Sequence, residues 1–427
     1  MRILHFSTDD ITGGAAKAAY RLHSALCEAG HQSQMVVLIK KSDDDRVIQA
    51  PPPMPRPWAS RFERWLQQIP WFRHRSPKAN YTFNFDPRPQ TDLESLLANH
   101  APSPEIICLH WMSGLLDLKA VRRLYDFYSC PIVWVMADQE VMTGGCHYSF
   151  GCGGFKHECG NCPQLTPSHS KDRSQIIWQR KKKLLADLPI CFVAPTSWGR
   201  ERLSQSSLFN NHRCELIPYP IDTNTFRQFD KGVARDLLHL PKDKKVIFFG
   251  ATYLEDRRKG MPLLLEALAK ARLLPSAFDP DKIFLLVAGL NGNYLMPKLP
   301  FTGKYVGQLN DDITLALAYQ AADVFVCPSI EDAGPMMIPE AMMCGTPVVA
   351  FNAGGAPDLI ETMKNGYLAN VGDAEDLACG ILAVLGADNQ SQICDSAQAK
   401  ARDRHLPHNV VKQYSELFQS LVKQQIQ

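Results

Sequence analysis

Short apolar runs bounded by glycine-containing or charged loops recur along this chain, alternating with segments whose apolar residues fall at helical spacing. The first run, Arg2 to Phe6, leads into a polar loop ending in Gly13-Gly14, then an alanine-rich helical segment from Ala15 to Ala29 stopped by Gly30, then a strand from Gln34 to Ile39. Strand, glycine loop, helix and strand in that order predict a βαβ unit of the doubly wound kind. The same grammar returns at Lys245 to Gly250. A charged loop ends in Lys259-Gly260, a helix follows from Met261 to Ala271, and strands are expected at Ile283 to Gly289, Val324 to Cys327 and Pro347 to Phe351. The pattern therefore predicts two α/β, Rossmann-like domains facing each other across a cleft, with the chemistry at the carboxyl ends of the strands. The proline-punctuated Ile217-Pro218-Tyr219-Pro220 places the boundary near residue 222. The expected division is 1–222, 223–404, and a last helical segment, 405–427, returning to the first domain.

Composition narrows the class without changing this picture. At 427 residues, 45% apolar and 21% charged, the chain has the length and balance of a two-domain globular protein. A formal charge of +2 gives no global attraction to nucleic acid, so none is expected as a partner. The opening apolar run is broken at Ser7-Thr8-Asp9-Asp10, too soon for a signal peptide. No stretch approaches the roughly 18–20 apolar residues of a membrane span. Thirteen cysteines, mostly single in apolar contexts, read as reduced thiols, and a cytoplasmic location is expected.

Candidate chemistry concentrates between Pro328 and Gly355. A buried strand ends at Pro328, Glu331 and Asp332 occupy the following loop, and Glu340 opens a short helix that Gly345 closes. A carboxylate accepts two hydroxyls at once, which suits a sugar diol, although Glu331 and Asp332 also fit simple solvated loop acids. Earlier, Arg258-Lys259 precede a helix N-terminus, where charge, backbone N–H groups and helix dipole together favour a pyrophosphate.

The run Glu340-Ala341-Met342-Met343-Cys344-Gly345-Thr346-Pro347-Val348-Val349, continued by Gly354-Gly355, resembles the nucleotide-sugar signature of retaining glycosyltransferase family 4, whose members have the type B two-Rossmann (GT-B) fold. The resemblance implies that Glu340 binds the nucleotide ribose. It implies that Asp332, standing where the family has Glu, meets donor-sugar hydroxyls with Glu331 beside it, and that Arg258 and Lys259 neutralise the diphosphate. Lys259, Asp332 and Glu340 are thus the expected catalytic set. Ala251 stands where many members carry Arg. In the first βα loop the resemblance implies roles for Gly14 at the donor phosphates and Lys17 on the acceptor side.

Four cysteines, Cys146, Cys152, Cys159 and Cys162, fall close together between residues 143 and 165. In a reduced compartment they suggest a structural zinc site, with free thiols or a redox disulfide as the alternatives. This insertion also resembles a subgroup of the family associated with exopolysaccharide and colanic-acid assembly. His110-Trp111 fits that subgroup, and the resemblance implies acceptor-side roles for His110 and Asp138. Asp138 fits it too, but Ala137 stands where the subgroup has a histidine, leaving His147 as the nearby substitute or as a structural residue. Aromatic residues interleaved with arginines over 58–78 suit either a membrane surface or a helix packed on the core. The expected function is transfer of a sugar from a nucleotide-diphosphate donor to a growing, lipid-linked glycan with retention, by a cytoplasmic protein peripheral to the inner face of the membrane and without a catalytic metal. A sugar-nucleotide epimerase and a non-catalytic glycan-binding relative are the alternatives.

Overall fold

The computed structural model describes residues 1–52, 83–84, 91–99, 103–274 and 279–426. The aromatic and basic segment 58–78 lies outside them. The chain divides into two compact units, 1–219 with 411–427, and 220–410.

In the first unit seven parallel strands form one sheet: β1 (Arg2–Asp9), β2 (Gln32–Ile39), β3 (Val47–Gln49), β4 (Ile106–Leu109), β5 (Ile132–Val135), β6 (Ile190–Ala194) and β7 (Cys214–Leu216), in the order β3-β2-β1-β4-β5-β6-β7. The register sets Ile3 beside Ser33 on one side and Ile106 on the other. Helices α1 (Gly14–Glu28), α2 (Leu93–Asn99), α3 (Leu118–Tyr128), α4 (Arg173–Leu185) and α5 (Ser197–Ser204) accompany it. The buried Asp10 carboxylate ties the loop after β1 to the chain after β2, accepting from the amides of Ile11, Lys41 and Ser42.

The second unit repeats the plan with β8 (Lys245–Tyr253), β9 (Ile283–Leu290), β10 (Gly303–Tyr305), β11 (Val324–Cys327), β12 (Val348–Phe351) and β13 (Gly366–Ala369), ordered β10-β9-β8-β11-β12-β13. Its helices are α6 (Lys231–Leu237), α7 (Met261–Leu273), α8 (Asp312–Ala321), α9 (Met337–Met343), α10 (Ala374–Leu385) and α11 (Gln390–His405); α12 (Pro407–Ile426) ends the chain. Alternate residues of one strand serve two cores. Val246 and Phe248 point to one face of the sheet, and Ile247 and Phe249 to the other. Burial on both faces explains why these strands read as continuous apolar runs.

In each sheet the strand order reverses beside its first strand, between β1 and β4 and between β8 and β11. Such switch points open a crevice at the carboxyl ends where ligands bind in doubly wound folds.

One buried ion pair braces the second sheet. Asp323, just before β11, receives Arg235 at 2.7 Å, Lys231 at 2.8 Å and the Val246 amide at 2.7 Å. Burial alone would raise its pKa, but Lys231, Arg235 and that amide lower it below the usual aspartate range. Arg235→Ala leaves this carboxylate short of its buried partner and is expected to cost about 3–5 kcal/mol in urea denaturation. Because the folded-state pKa is depressed, the pair's contribution is present above the unfolded aspartate pKa and disappears as pH falls through the folded one. The gap between wild type and variant should therefore narrow in acid.

Candidate functional site

The loops after β8 and β11 meet at the switch point of the second sheet. Asp256 accepts from the Arg258 amide and caps the short turn Arg257–Lys259, while the Ile330 amide bonds the Arg258 carbonyl at 2.9 Å. This pins the two cations against the chain leaving β11. Lys259 Nζ lies 2.6 Å from Asp332 Oδ2, and Arg258 reaches the same oxygen at 3.0 Å. Arg258 also donates to the Glu331 carbonyl and pairs with Asp256. Burial would raise the Asp332 pKa, but Lys259 and then Arg258 overcome it, and the carboxyl is held below its ordinary value.

Asp332 is fixed from behind as well. Gly354, at φ +55°, follows β12, and a Cβ placed there would lie 1.9 Å from the Asp332 carbonyl oxygen. Only glycine permits this approach. Glu340 is buried on α9, and Tyr319 donates to its Oε2 at 3.4 Å. That helix begins at Met337, three residues earlier than the sequence reading placed its start, with Glu340 still inside the first turn. Glu331 is also buried, which sets aside its reading as a solvated acid.

Chemically, the cluster is a pair of cations held by carboxylates at a strand-end crevice. An incoming diphosphate would compete with Asp332 for Arg258 and Lys259, and charge-assisted contacts of this kind are strong and directional.

In the first unit a pocket opens at the carboxyl ends of β4 and β5. His110, Trp111, Asp138 and His147 are among the residues lining it. The structure thus brings together two of the expected acceptor-side residues. His110 is buried, stands 2.9 Å from the ring nitrogen of His5, and burial with His23 lowers its pKa to about 3, so it is neutral. His147 Nδ1 meets Asp138 Oδ2 at 2.5 Å. Burial opposes its charge, but Asp138 outweighs that and raises the imidazole pKa. Gly14 and Lys17 lie in the first turn of α1, after β1, and are not among the residues of this pocket.

The cysteine expectation needs correcting. Cys146, Cys152, Cys159 and Cys162 do line one small apolar cavity. Among the described residues, however, no three His, Cys, Asp or Glu side chains are grouped as a bound ion requires, so zinc is not supported. The sulfurs turn instead to local donors, Cys152 to the Gly154 amide and Cys159 to the Gly144 amide. Burial raises the Cys146 pKa well above its usual value, that of Cys159 to about 11 and that of Cys162 to about 12. All four are free thiols.

Residues 243–387, which contain the whole Arg258–Lys259–Asp332–Glu340 set, match the family model "Glycosyl transferases group 1". The second unit carries a group 1 glycosyl transferase domain. Over most of its length the chain is similar to the putative colanic acid biosynthesis glycosyl transferase WcaC of Escherichia coli K12, at 25% identity, with 84% of this chain and 85% of that protein covered. A D-inositol 3-phosphate glycosyltransferase of Segniliparus rotundus is 30% identical over 206 residues, 46% of this chain and 44% of that protein. Among solved structures, sucrose-phosphate synthase from Thermosynechococcus elongatus superimposes with a TM-score of 0.68 at 20% identity, covering 98% of both chains. Anabaena Alr3699/HepE in complex with UDP-glucose gives a TM-score of 0.65 at 18% identity, covering 98% of this chain and 99% of that one. At these identities the likeness establishes the two-domain GT-B fold.

In the first unit, one charged residue escaped the sequence reading. Lys181, in the basic run Arg180-Lys181-Lys182-Lys183, is 1% exposed and donates to the Glu140 carboxylate and carbonyl and to the Thr143 carbonyl. Its place between Ile177 and Leu185 on one helical stripe was the available signal.

Proposed function

We propose that this protein transfers a glycosyl unit from a nucleotide-diphosphate sugar to a growing, lipid-linked glycan with retention of anomeric configuration, at the inner face of the membrane. The observation that carries the reading is the convergence of Arg258 and Lys259 on Asp332 beside the β8–β11 switch point. In the proposed complex the diphosphate takes these two cations, Glu340 accepts the ribose hydroxyls, and the carboxylate of Asp332 or Glu331 accepts donor-sugar hydroxyls. The first βα loop, with Gly14 and Lys17, serves the donor phosphates and the acceptor. Electrostatic stabilisation of the departing diphosphate is then the main catalytic term, and the leaving phosphate oxygen is the base for the acceptor hydroxyl. Retention rests on the family resemblance. Similarity to WcaC supports polysaccharide assembly as the setting.

Thermal-shift screening against UDP-, GDP- and ADP-sugars tests the donor class. A nucleotide sugar present at about 100 times its Kd is expected to add about 2.7 kcal/mol to the stability of the unit that holds it. The matching donor should raise Tm in wild type and fail to do so in Glu340→Ala. If no nucleotide diphosphate or its sugar raises Tm, the reading is wrong.

A further inference from the structure

The turn that follows α9 does more than end a helix. Thr346, between Gly345 and Pro347, is buried. Its Oγ1 donates to the Tyr319 carbonyl at 2.7 Å, and its amide donates to the Ala341 carbonyl at 3.0 Å. It thereby ties the last turn of α8 to α9, the helix that carries Glu340. Tyr319 is fully buried, and its ring meets Phe248 of β8 and Phe325 of β11 edge-on, with centroids 5.3 Å and 5.2 Å away. Phe226 stands on a further side at 6.4 Å. A ring wedged among aromatic neighbours and pinned through its own backbone delivers its hydroxyl to one place. That place is Glu340, whose Oε2 accepts from it.

A buried phenol beside a buried carboxylate constrains both groups. Burial, and then the charge of Glu340, hold the Tyr319 pKa well above its ordinary value, so the hydroxyl keeps its proton and serves as a donor. The bond it gives offsets part of the cost of taking the Glu340 carboxylate out of water. The last torsion of a glutamate side chain is broad, so a carboxylate without such a donor can turn about it. An ionised carboxylate has about four lone-pair sites, so one bond at Oε2 fixes its plane and leaves acceptors for two further hydroxyls. Adjacent hydroxyls on a five-membered sugar ring need that fixed plane.

We propose that Tyr319 is a positioning residue for the nucleotide: its hydroxyl sets the plane in which the Glu340 carboxylate accepts the 2′ and 3′ hydroxyls of the ribose. This rests on the reading of Glu340 as the ribose acceptor. Tyr319 then acts on recognition of the ribose alone, and the diphosphate contacts of Arg258 and Lys259 do not depend on it.

Calorimetric titration of the full chain with UDP, GDP and ADP, and with the 2′,3′-dideoxy form of each, tests it. Wild type is expected to bind the ribose form of its nucleotide more tightly than the dideoxy form. Tyr319→Phe keeps the ring and its packing and removes only the hydroxyl. It should raise the Kd of the ribonucleotide about tenfold, the loss of one hydrogen bond to a charged group, and leave the dideoxy Kd unchanged. In turnover, KM for the nucleotide sugar should rise with little change in kcat, as expected for a contact made equally in the ground and transition states. A variant merely loosened in its core would lose both ligands alike. Equal losses for the two forms, or an unchanged ribonucleotide Kd, overturn the proposal. Glu340→Ala separates it from the reading beneath it. If wild type shows no ribose preference, or Glu340→Ala keeps that preference in full, Glu340 is not the ribose acceptor and both fall. If Glu340→Ala erases the preference while Tyr319→Phe retains it, the role of Tyr319 alone is refuted.

Discussion

Lys259→Ala is expected to lower kcat/KM for the donor by about a hundred- to a thousandfold, the usual effect of removing one preorganised contact to developing charge. Lys259 is the better of the two cations to remove. Arg258 is shared among Asp332, Asp256 and the Glu331 carbonyl, so its loss would disturb the loop itself. With Lys259 gone, Asp332 keeps Arg258 at 3.0 Å, and the buried carboxylate is not stranded. The fold should therefore survive while the leaving group loses its counter-charge. Steady-state kinetics with the nucleotide sugar identified by thermal shift, read alongside Tm, separates the two. A variant with kcat/KM within a few-fold of wild type would remove Lys259 from the diphosphate site.

Gly354→Ala should be among the most damaging single-methyl changes in the second unit. Left-handed backbone and overpacking together put its cost at about 2–5 kcal/mol. The new Cβ meets the carbonyl oxygen of Asp332, so either β12 yields or the Asp332 loop moves. Donor turnover should fall further than stability predicts, since Asp332 would no longer meet Lys259 at its present distance. Gly372→Ala is the control. It has the same sign of φ, +82°, but open space around the added carbon, and it should carry the backbone penalty alone. Equal losses of stability and turnover in the two variants would mean that contact with Asp332 matters little.

The second sheet was legible because β8, β9, β11 and β12 are buried on both faces, leaving runs such as Val246–Phe249 that no solvent-facing residue interrupts. The placement of Lys259 and Asp332 in strand-end loops and of Glu340 in a helix's first turn was legible for a different reason: short-range sequence order sets position there. Pairings made across the fold left no such trace. Asp323 and Arg235 are 88 positions apart and looked like ordinary charges. Lys181 was masked by its basic neighbours, although one side of its helix is apolar. The cysteines show the opposite failure. Their spacing drew attention to a real cluster, but spacing carries no information on which way a sulfur turns, and local amide donors took two of them.

The division of the chain bears on how the protein is made. The first unit is interrupted after Tyr219 and completed only by residues 411–427, whose Tyr414 and Phe418 are buried. The intervening unit runs from Pro220 to Val410. At ribosomal speeds of about 5–20 residues per second, the first sheet waits roughly 10–40 s for its last helix after its own strands have emerged. During that interval its partly assembled core is exposed to chaperones and to aggregation. The second unit, contiguous in sequence, can close while the first is still unfinished, so the order of synthesis and the order of completion are reversed.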